Sequence, residues 1–306
     1  MKILVATPTG KIGRRIVTEL LAPEFSVRVI TRDPARLSDE VREQVEVICG
    51  SLDDPATLQR ALDGVEAMFF CVPSATLQET NVRRHYERFA RVATSAIRAA
   101  GTARVVTISS GGRGRAQNAG PISALHAMED ILNESGAAIR HLRCGAFMEN
   151  LLQQAQAIAH QGVISYPMPG HVPIPMVAVT DVADMALRWL VQRNWDGVAG
   201  VAVHGPEDCS YSEVAAAIER VLERSVRYQE VAANAYVRAL VARGASAEYA
   251  QSLVAMFAEM ARGITQAEPR TFHTTTPTPL ANWIREELLP MIAPQTEAAC
   301  CLGCES

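Results

Sequence analysis

The first thirteen residues constrain the fold most. Ile3-Leu4-Val5-Ala6 reads as a short apolar strand, and Thr7-Pro8-Thr9-Gly10-Lys11-Ile12-Gly13 follows as a glycine-bearing turn. Arg14 to Leu21 then places Ile16, Val17, Leu20 and Leu21 on one side of a helix. Strand, turn and helix in that order open a βαβ unit, and the chain repeats the pattern. Val27–Thr31, Val45–Cys49, Ala67–Val72 and Val105–Ser109 read as further strands, with helical stretches near 34–40, 55–63 and 81–100. A helix from Ala124 to Asn133, ending before Gly136, leads into a sixth strand at Ala138–Leu142. Buried strands alternating with helices predict an α/β fold, a doubly wound parallel sheet of Rossmann type.

Beyond the sixth strand the alternation loosens. Phe147 to His160 reads as helix, Gly170 to Pro175 as a loop, and Thr180-Asp181 as the cap of a helix reaching Val191. A strand at Val201–His204 precedes Ser210-Tyr211-Ser212-Glu213, a capping box opening another helix. Helices near 233–242, 247–262 and 280–289 follow. This divides the chain into a nucleotide-binding core at 1–150, a smaller, mainly helical substrate region at 151–290 with some elements returning to the core, and a Cys-containing tail at 291–306. A length of 306 residues suits one large unit with a second region sharing its cleft.

The turn points to a ligand. Gly10 and Gly13 let the backbone turn tightly and approach a pyrophosphate at a helix N-terminus. The amides of Thr7, Thr9, Lys11 and Ile12, with the Thr9 hydroxyl, lie where phosphates would sit. At the end of the second strand an acidic residue would bind a free ribose, whereas Arg32, joined by Arg36, favours a 2′-phosphate. NADP(H) is therefore expected over NAD(H), with Asp33 capping the short helix. Leu52 is placed to flank adenine, and Val72-Pro73-Ser74 to face the nicotinamide ribose.

Several segments together resemble the NmrA-like branch of atypical short-chain dehydrogenases/reductases. They are Ala6 to Gly13, Thr31-Arg32, Ser109-Ser110-Gly111, His126-Ala127-Met128-Glu129-Asp130, Arg143 to Leu151, and Pro173-Ile174-Pro175-Met176 with Thr180-Asp181-Val182-Ala183. The resemblance spans about 1–290 and implies NAD(P) binding. It implies either reduction of quinones and small unsaturated or carbonyl compounds, or catalytically silent cofactor sensing. It also implies that Glu129 pairs with Arg143. Thr7 departs from the family's usual first glycine.

The ordinary short-chain reductase uses a Tyr-x-x-x-Lys pair after the fifth strand. Here no tyrosine falls between Tyr86 and Tyr166, and lysine occurs only at Lys2 and Lys11. Hydride transfer to an electron-poor acceptor does not require that pair. His126 is the first-ranked proton donor, the alternative being a helix-start histidine bonded to backbone or solvent. Ser109 could hold the nicotinamide ribose, and Ser110 a substrate oxygen. Phe147 and Asn150, three apart on one expected helical face, offer an aromatic wall and an amide. Tyr166, Met168 and Met176 could line an apolar pocket or pack in the core.

His85 and His141 have no partners at metal-ligand spacing, so no metal is expected. Four cysteines, at 49, 71, 144 and 209, read as buried thiols, and the Cys300/Cys301/Cys304 tail as a flexible, oxidation-prone terminus. A net charge of −4, spread without a long block of either sign, implies no nucleic-acid contact. The absence of a leader or a long apolar run predicts no membrane contact and a cytoplasmic location. The leading reading is an NADPH-dependent reductase of a small, apolar, quinone-like molecule. The alternatives are a noncatalytic NAD(P)-binding redox sensor or an isomerase, and a homodimer is admitted.

Overall fold

The computed structural model describes residues 1–292. The first six strands are β1 (Lys2–Val5), β2 (Ser26–Thr31), β3 (Glu46–Cys49), β4 (Ala67–Phe70), β5 (Arg104–Ser110) and β6 (Ala138–Cys144). The later ones are β7 (Ala146–Phe147), β8 (Val163–Tyr166), β9 (Ile174–Val177), β10 (Val198–Val203), β11 (Asp208–Cys209) and β12 (Arg227–Glu230). Seven of them form one sheet in the order β10-β6-β5-β4-β1-β2-β3, with every neighbouring pair parallel. The chain starts mid-sheet at β1, runs out to β3, then crosses to β4 and builds the other way. That reversal opens a crevice between the carboxyl ends of β1 and β4, where doubly wound sheets bind ligands.

Strand periodicity feeds two cores. Ile3 and Val5 face α1 (Lys11–Glu19), while Leu4 and Ala6 face the opposite layer. A short α2 (Asp39–Gln44) follows, and α3 (Pro55–Leu62), α4 (Val82–Ala100) and α5 (Pro121–Asn133) make up that opposite layer. Next come α6 (Ala155–Gln161) and α7 (Val179–Val191), the latter returning to pack beside α1. A third core lies between α6, α8 (Tyr211–Leu222), α10 (Ala247–Ala261) and the helical segment Leu280–Ile292, and α9 (Ala233–Ala242) contributes no buried residue to it. Two small sheets, β11-β9-β7 and β12-β8, complete this region.

Several local expectations change. The stretch 34–40 is a tight turn, Pro34–Arg36, followed by α2, because Asp33 caps the first piece and Ser38 the second. Phe147 lies in β7, paired with Val177, and Met148–Gln154 is a 3-10 helix; only Ala155–Gln161 is α-helical. Phe147 and Asn150 thus do not share a helical face. The helix expected to be capped by Thr180-Asp181 starts at Val179, whose amide is 3.1 Å from both Glu149 carboxylate oxygens. Asp181 instead accepts from the Thr278 amide and hydroxyl, at 3.0 and 2.7 Å.

Strand β9 begins inside the expected 170–175 loop, and β10 begins at Val198. Gly200 within β10 makes room for a side chain, since a Cβ there would lie 2.4 Å from the Arg143 guanidinium carbon. The capping box at Ser210 and Glu213 forms as expected. Cys144 and Cys209 are buried, but Cys49 is exposed at the end of the edge strand β3, and Cys71 is only partly covered. The Cys300/Cys301/Cys304 tail lies outside the described residues. Among those residues no helix is long and apolar enough to cross a membrane.

Candidate nucleotide and acceptor site

The turn after β1 is held by Gly10 N–H donating to the Thr7 carbonyl at 3.3 Å and Arg14 N–H to the Gly10 carbonyl at 2.8 Å. Gly10 caps α1 without a side-chain hydrogen bond, so the first amides of α1 stay available to an anion. The two glycines differ. A Cβ on Gly13 would sit 2.0 Å from the Thr7 carbonyl oxygen, whereas one on Gly10 would be at an ordinary 3.6 Å. Gly13 is therefore needed for packing of the turn on its helix, and Gly10 leaves space on the ligand side. Thr7 keeps a negative φ, so its side chain does not strain the turn. Ile12 is buried in the α1 core, Thr9 is half-buried, and the Lys11 ammonium lies 3.6 Å from Glu287.

Beside this turn is a groove of about 390 Å³ lined by Pro8, Arg14, Ala35, Arg36 and Ser38 among others. Arg36 enters it from the Pro34–Arg36 turn, while Arg32 stands exposed directly after β2 without lining it. Arg14, in the first turn of α1, was not singled out from the sequence. Its signal was its place beside the glycine turn. None of the three arginines has an acidic partner among the described residues, and Asp33 is occupied by the Ala35 amide at 3.1 Å. Exposed, uncompensated guanidinium groups at this edge fit a phosphate on the adenosine ribose.

At the crevice, the Cys71 thiol beyond β4 lies 3.8 Å from the Val72 carbonyl, and burial pushes its pKa up to about 11. Val72 is buried, whereas Pro73 is exposed and its carbonyl accepts from His85 Nε2 at 2.8 Å. Leu52 is 5% exposed in the core with Ile30 and Leu58, so little of it remains to meet a base.

The end of β5 is taken up by a buried charge cluster. Ser109 Oγ donates to Glu129 at 2.5 Å, and Arg143 binds the same carboxylate at 3.1 and 2.8 Å. Arg113 approaches Glu129 to 3.2 Å and also reaches Asp130. Glu268 accepts from the Gly112 amide at 2.8 Å. Burial opposes ionisation of Glu129, but the bonds from Arg143 and Ser109 outweigh it and hold the carboxyl below its ordinary range. His141, itself pushed down to about 4 by burial, is neutral near pH 7 and adds little.

His126 is buried, its Nε2 bonded to the Ser110 carbonyl at 2.9 Å, and Ser110 is half-buried. Ser109 and His126 are thus committed to the protein. Phe147 packs against the α1/α7 core, Asn150 is exposed, and Tyr166, Met168 and Met176 lie in the third core, so these residues do not converge on one open pocket. The sequence did not single out Arg113 or Glu268; the contacts that place them join residues far apart in the chain.

Residues 1–276 match the NmrA-like family. The chain is 33% identical over 243 residues to (4-alkanoyl-5-oxo-2,5-dihydrofuran-3-yl)methyl phosphate reductase from Streptomyces griseus, covering 79% of this chain and 81% of that one. It is 29% identical over 260 residues to an NAD(P)H azoreductase from Xenophilus azovorans, covering 84% and 86%. The fold resembles that of an NADPH-dependent quinone oxidoreductase from Escherichia coli complexed with NADPH, at a TM-score of 0.79 and 23% identity over 92% of this chain and 98% of the other. With its parallel sheet, glycine turn and matched span together, the chain belongs to the NmrA-like family of atypical short-chain dehydrogenases/reductases.

Proposed function

We propose that this chain is an NADPH-dependent reductase of a small, electron-poor, largely apolar acceptor such as a quinone. Residues 1–150 hold the nucleotide and 151–290 bound the acceptor. The observation that carries this reading is the basic edge of Arg14, Arg32 and Arg36 beside the glycine turn, whose uncompensated charge suits the phosphate that NADPH has and NADH lacks. The azoreductase and furanone phosphate reductase relatives support the reaction class.

Bound NADPH supplies the hydride, and the protein binds, orients and shields the partners. The Gly10–Gly13 turn receives the pyrophosphate, and the crevice beside Cys71 and Pro73 takes the reactive end. Because Ser109 and His126 are committed to internal bonds, acceptors that develop full alkoxide charge are poorly served and quinones are favoured.

Stopped-flow absorbance with a panel of quinones, azo dyes, activated alkenes and simple ketones tests this. NADPH should be consumed with the first three classes and hardly with ketones. The inward commitment of Ser109 and His126 favours one other reading, a noncatalytic nucleotide-binding regulator. Tight NADPH binding with no acceptor reduced across the panel would establish that reading instead.

A further inference from the structure

The chain holds six tyrosines, none at the usual short-chain reductase position. Two of them, Tyr86 and Tyr249, flank the loop that leaves β4. Tyr86 sits on α4 next to His85, whose ring is fixed to the Pro73 carbonyl at 2.8 Å and lies 5.3 Å from the Tyr86 ring. Because Pro73 lies just beyond β4, that bond sets His85 and Tyr86 on the β4 side of the switch point between β1 and β4.

Tyr249 comes from the first turn of α10, and that turn is latched in place. Ser246 Oγ caps the helix at the Tyr249 amide, 3.0 Å, and also donates to the Glu79 carbonyl at 2.6 Å. The Ser246 amide donates to the Leu77 carbonyl at 2.7 Å, and Gln78 Nε2 to the Gly244 carbonyl at 3.2 Å. The loop between β4 and α4 and the start of α10 are therefore joined as one wall.

Enclosed phenols ordinarily find a hydrogen-bond partner. Tyr228 does, with its hydroxyl 2.6 Å from the Met168 carbonyl. The hydroxyls of Tyr86 and Tyr249 have none among the described residues, and both side chains remain half-buried rather than sealed in a core. Burial raises the pKa of each, so both stay protonated donors through neutral pH.

We propose that Tyr86 and Tyr249 donate hydrogen bonds to the carbonyl oxygen of the quinone-like acceptor and seat it at the switch point. This rests on the reductase reading and names the groups that touch the acceptor. Neither phenol gives up its proton. The acceptor gains a hydride carrying both electrons as the nucleotide is oxidised, then a proton from water.

Y86F and Y249F remove each hydroxyl while keeping the ring. Menadione is the probe, its binding measured by calorimetry on the protein saturated with NADP⁺, which cannot reduce it, and its turnover measured with NADPH. Each variant should lose about tenfold in menadione affinity and in kcat/KM while nucleotide affinity and circular dichroism stay unchanged. Wild-type affinity and turnover in both variants would overturn the proposal and leave the reductase reading standing. If the wild type reduces no acceptor, the reductase reading fails and the binding measurement decides: a loss in Y86F or Y249F sustains the contact. Unchanged affinity in both variants, or no menadione binding by the wild type, overturns it.

Discussion

Glu129 and Glu149 are both largely withdrawn from water, and their surroundings differ. Glu129, on α5 under the end of β5, is held by Arg143, Arg113 and Ser109, all part of the N-terminal half. Glu149, just past β7, has no arginine partner among the described residues. It accepts from the Val179 amide and from Trp283 Nε1, each at 3.1 Å, and so joins the start of α7 to the C-terminal helical segment. One buried carboxylate pairs with half-buried cations beside a regular sheet; the other ties irregular pieces together with neutral donors. Charge pairing and polar bridging make different demands on stability, and the two regions can be separated experimentally on that basis.

The largest expected effect is at Glu129. Glu129→Ala removes the buried partner of Arg143, Arg113 and Ser109 and should lower stability by about 3 kcal/mol, the low end for breaking a buried ion pair because both guanidinium groups keep some exposure. Glu149→Ala orphans neutral N–H donors and should lose less, about 1–3 kcal/mol. Urea denaturation of both variants, followed by circular dichroism, checks the ranking. Equal losses would mean that the pairing chemistry does not distinguish the regions.

Next come the glycines of the turn. Gly13→Ala should destabilise the fold by about 1–3 kcal/mol, because its Cβ would lie 2.0 Å from the Thr7 carbonyl oxygen and the turn must yield. Gly10→Ala should leave the melting temperature nearly unchanged, with a Cβ at 3.6 Å, yet weaken NADPH binding by intruding on the phosphate side. Thermal melts paired with calorimetric titration separate the two outcomes. A Gly10 variant that binds as the wild type does would remove the pyrophosphate from this turn.

A smaller effect is expected on the basic edge. Arg32→Ala and Arg14→Ala should each weaken NADPH binding by about 1–2 kcal/mol, the lower end for charge-assisted contacts because both side chains are exposed. NADH binding should barely change. Parallel titrations with the two cofactors test this, and an equal loss for both would place the arginines away from the 2′-phosphate.

The nucleotide half was legible because its information is local. Ile3, Val5, Leu4 and Ala6 alternate between two cores, and Ile16, Val17 and Leu20 repeat at helical spacing, so each element announces itself within a few residues. The C-terminal half is built from distant contacts. Phe147 is extended because Val177 pairs with it, and the cap of α7 is Glu149, thirty residues before it in the chain. Of the candidate site, the glycine turn after β1 and the exposed position of Arg32 after β2 could be read locally. The commitment of Ser109 and His126 to Glu129 and to the Ser110 carbonyl could not, nor could the bonds that join the start of α10 to the loop before α4, since no short-range pattern encodes a contact between distant segments.

The finest expected difference is in how the two glutamates respond to pH. Burial is the largest influence on Glu149 and raises its folded pKa above the ordinary 4.5, against the smaller opposing pull of its amide and indole donors. Its contribution to stability is therefore complete below the unfolded pKa and declines as pH rises through the raised folded value. Glu129 has a lowered folded pKa, so its contribution is present above the unfolded value and is lost as pH falls through the folded one. Glutamine titrates in neither site. Between pH 4 and pH 8, Glu149→Gln should thus gain on the wild type with rising pH, by under about 1 kcal/mol for a partly accessible group. Glu129→Gln should fall further behind over the acidic part of that range. Urea midpoints collected at intervals across the range give both slopes, and slopes of the same sign would show that one electrostatic environment, not two, governs these carboxyls.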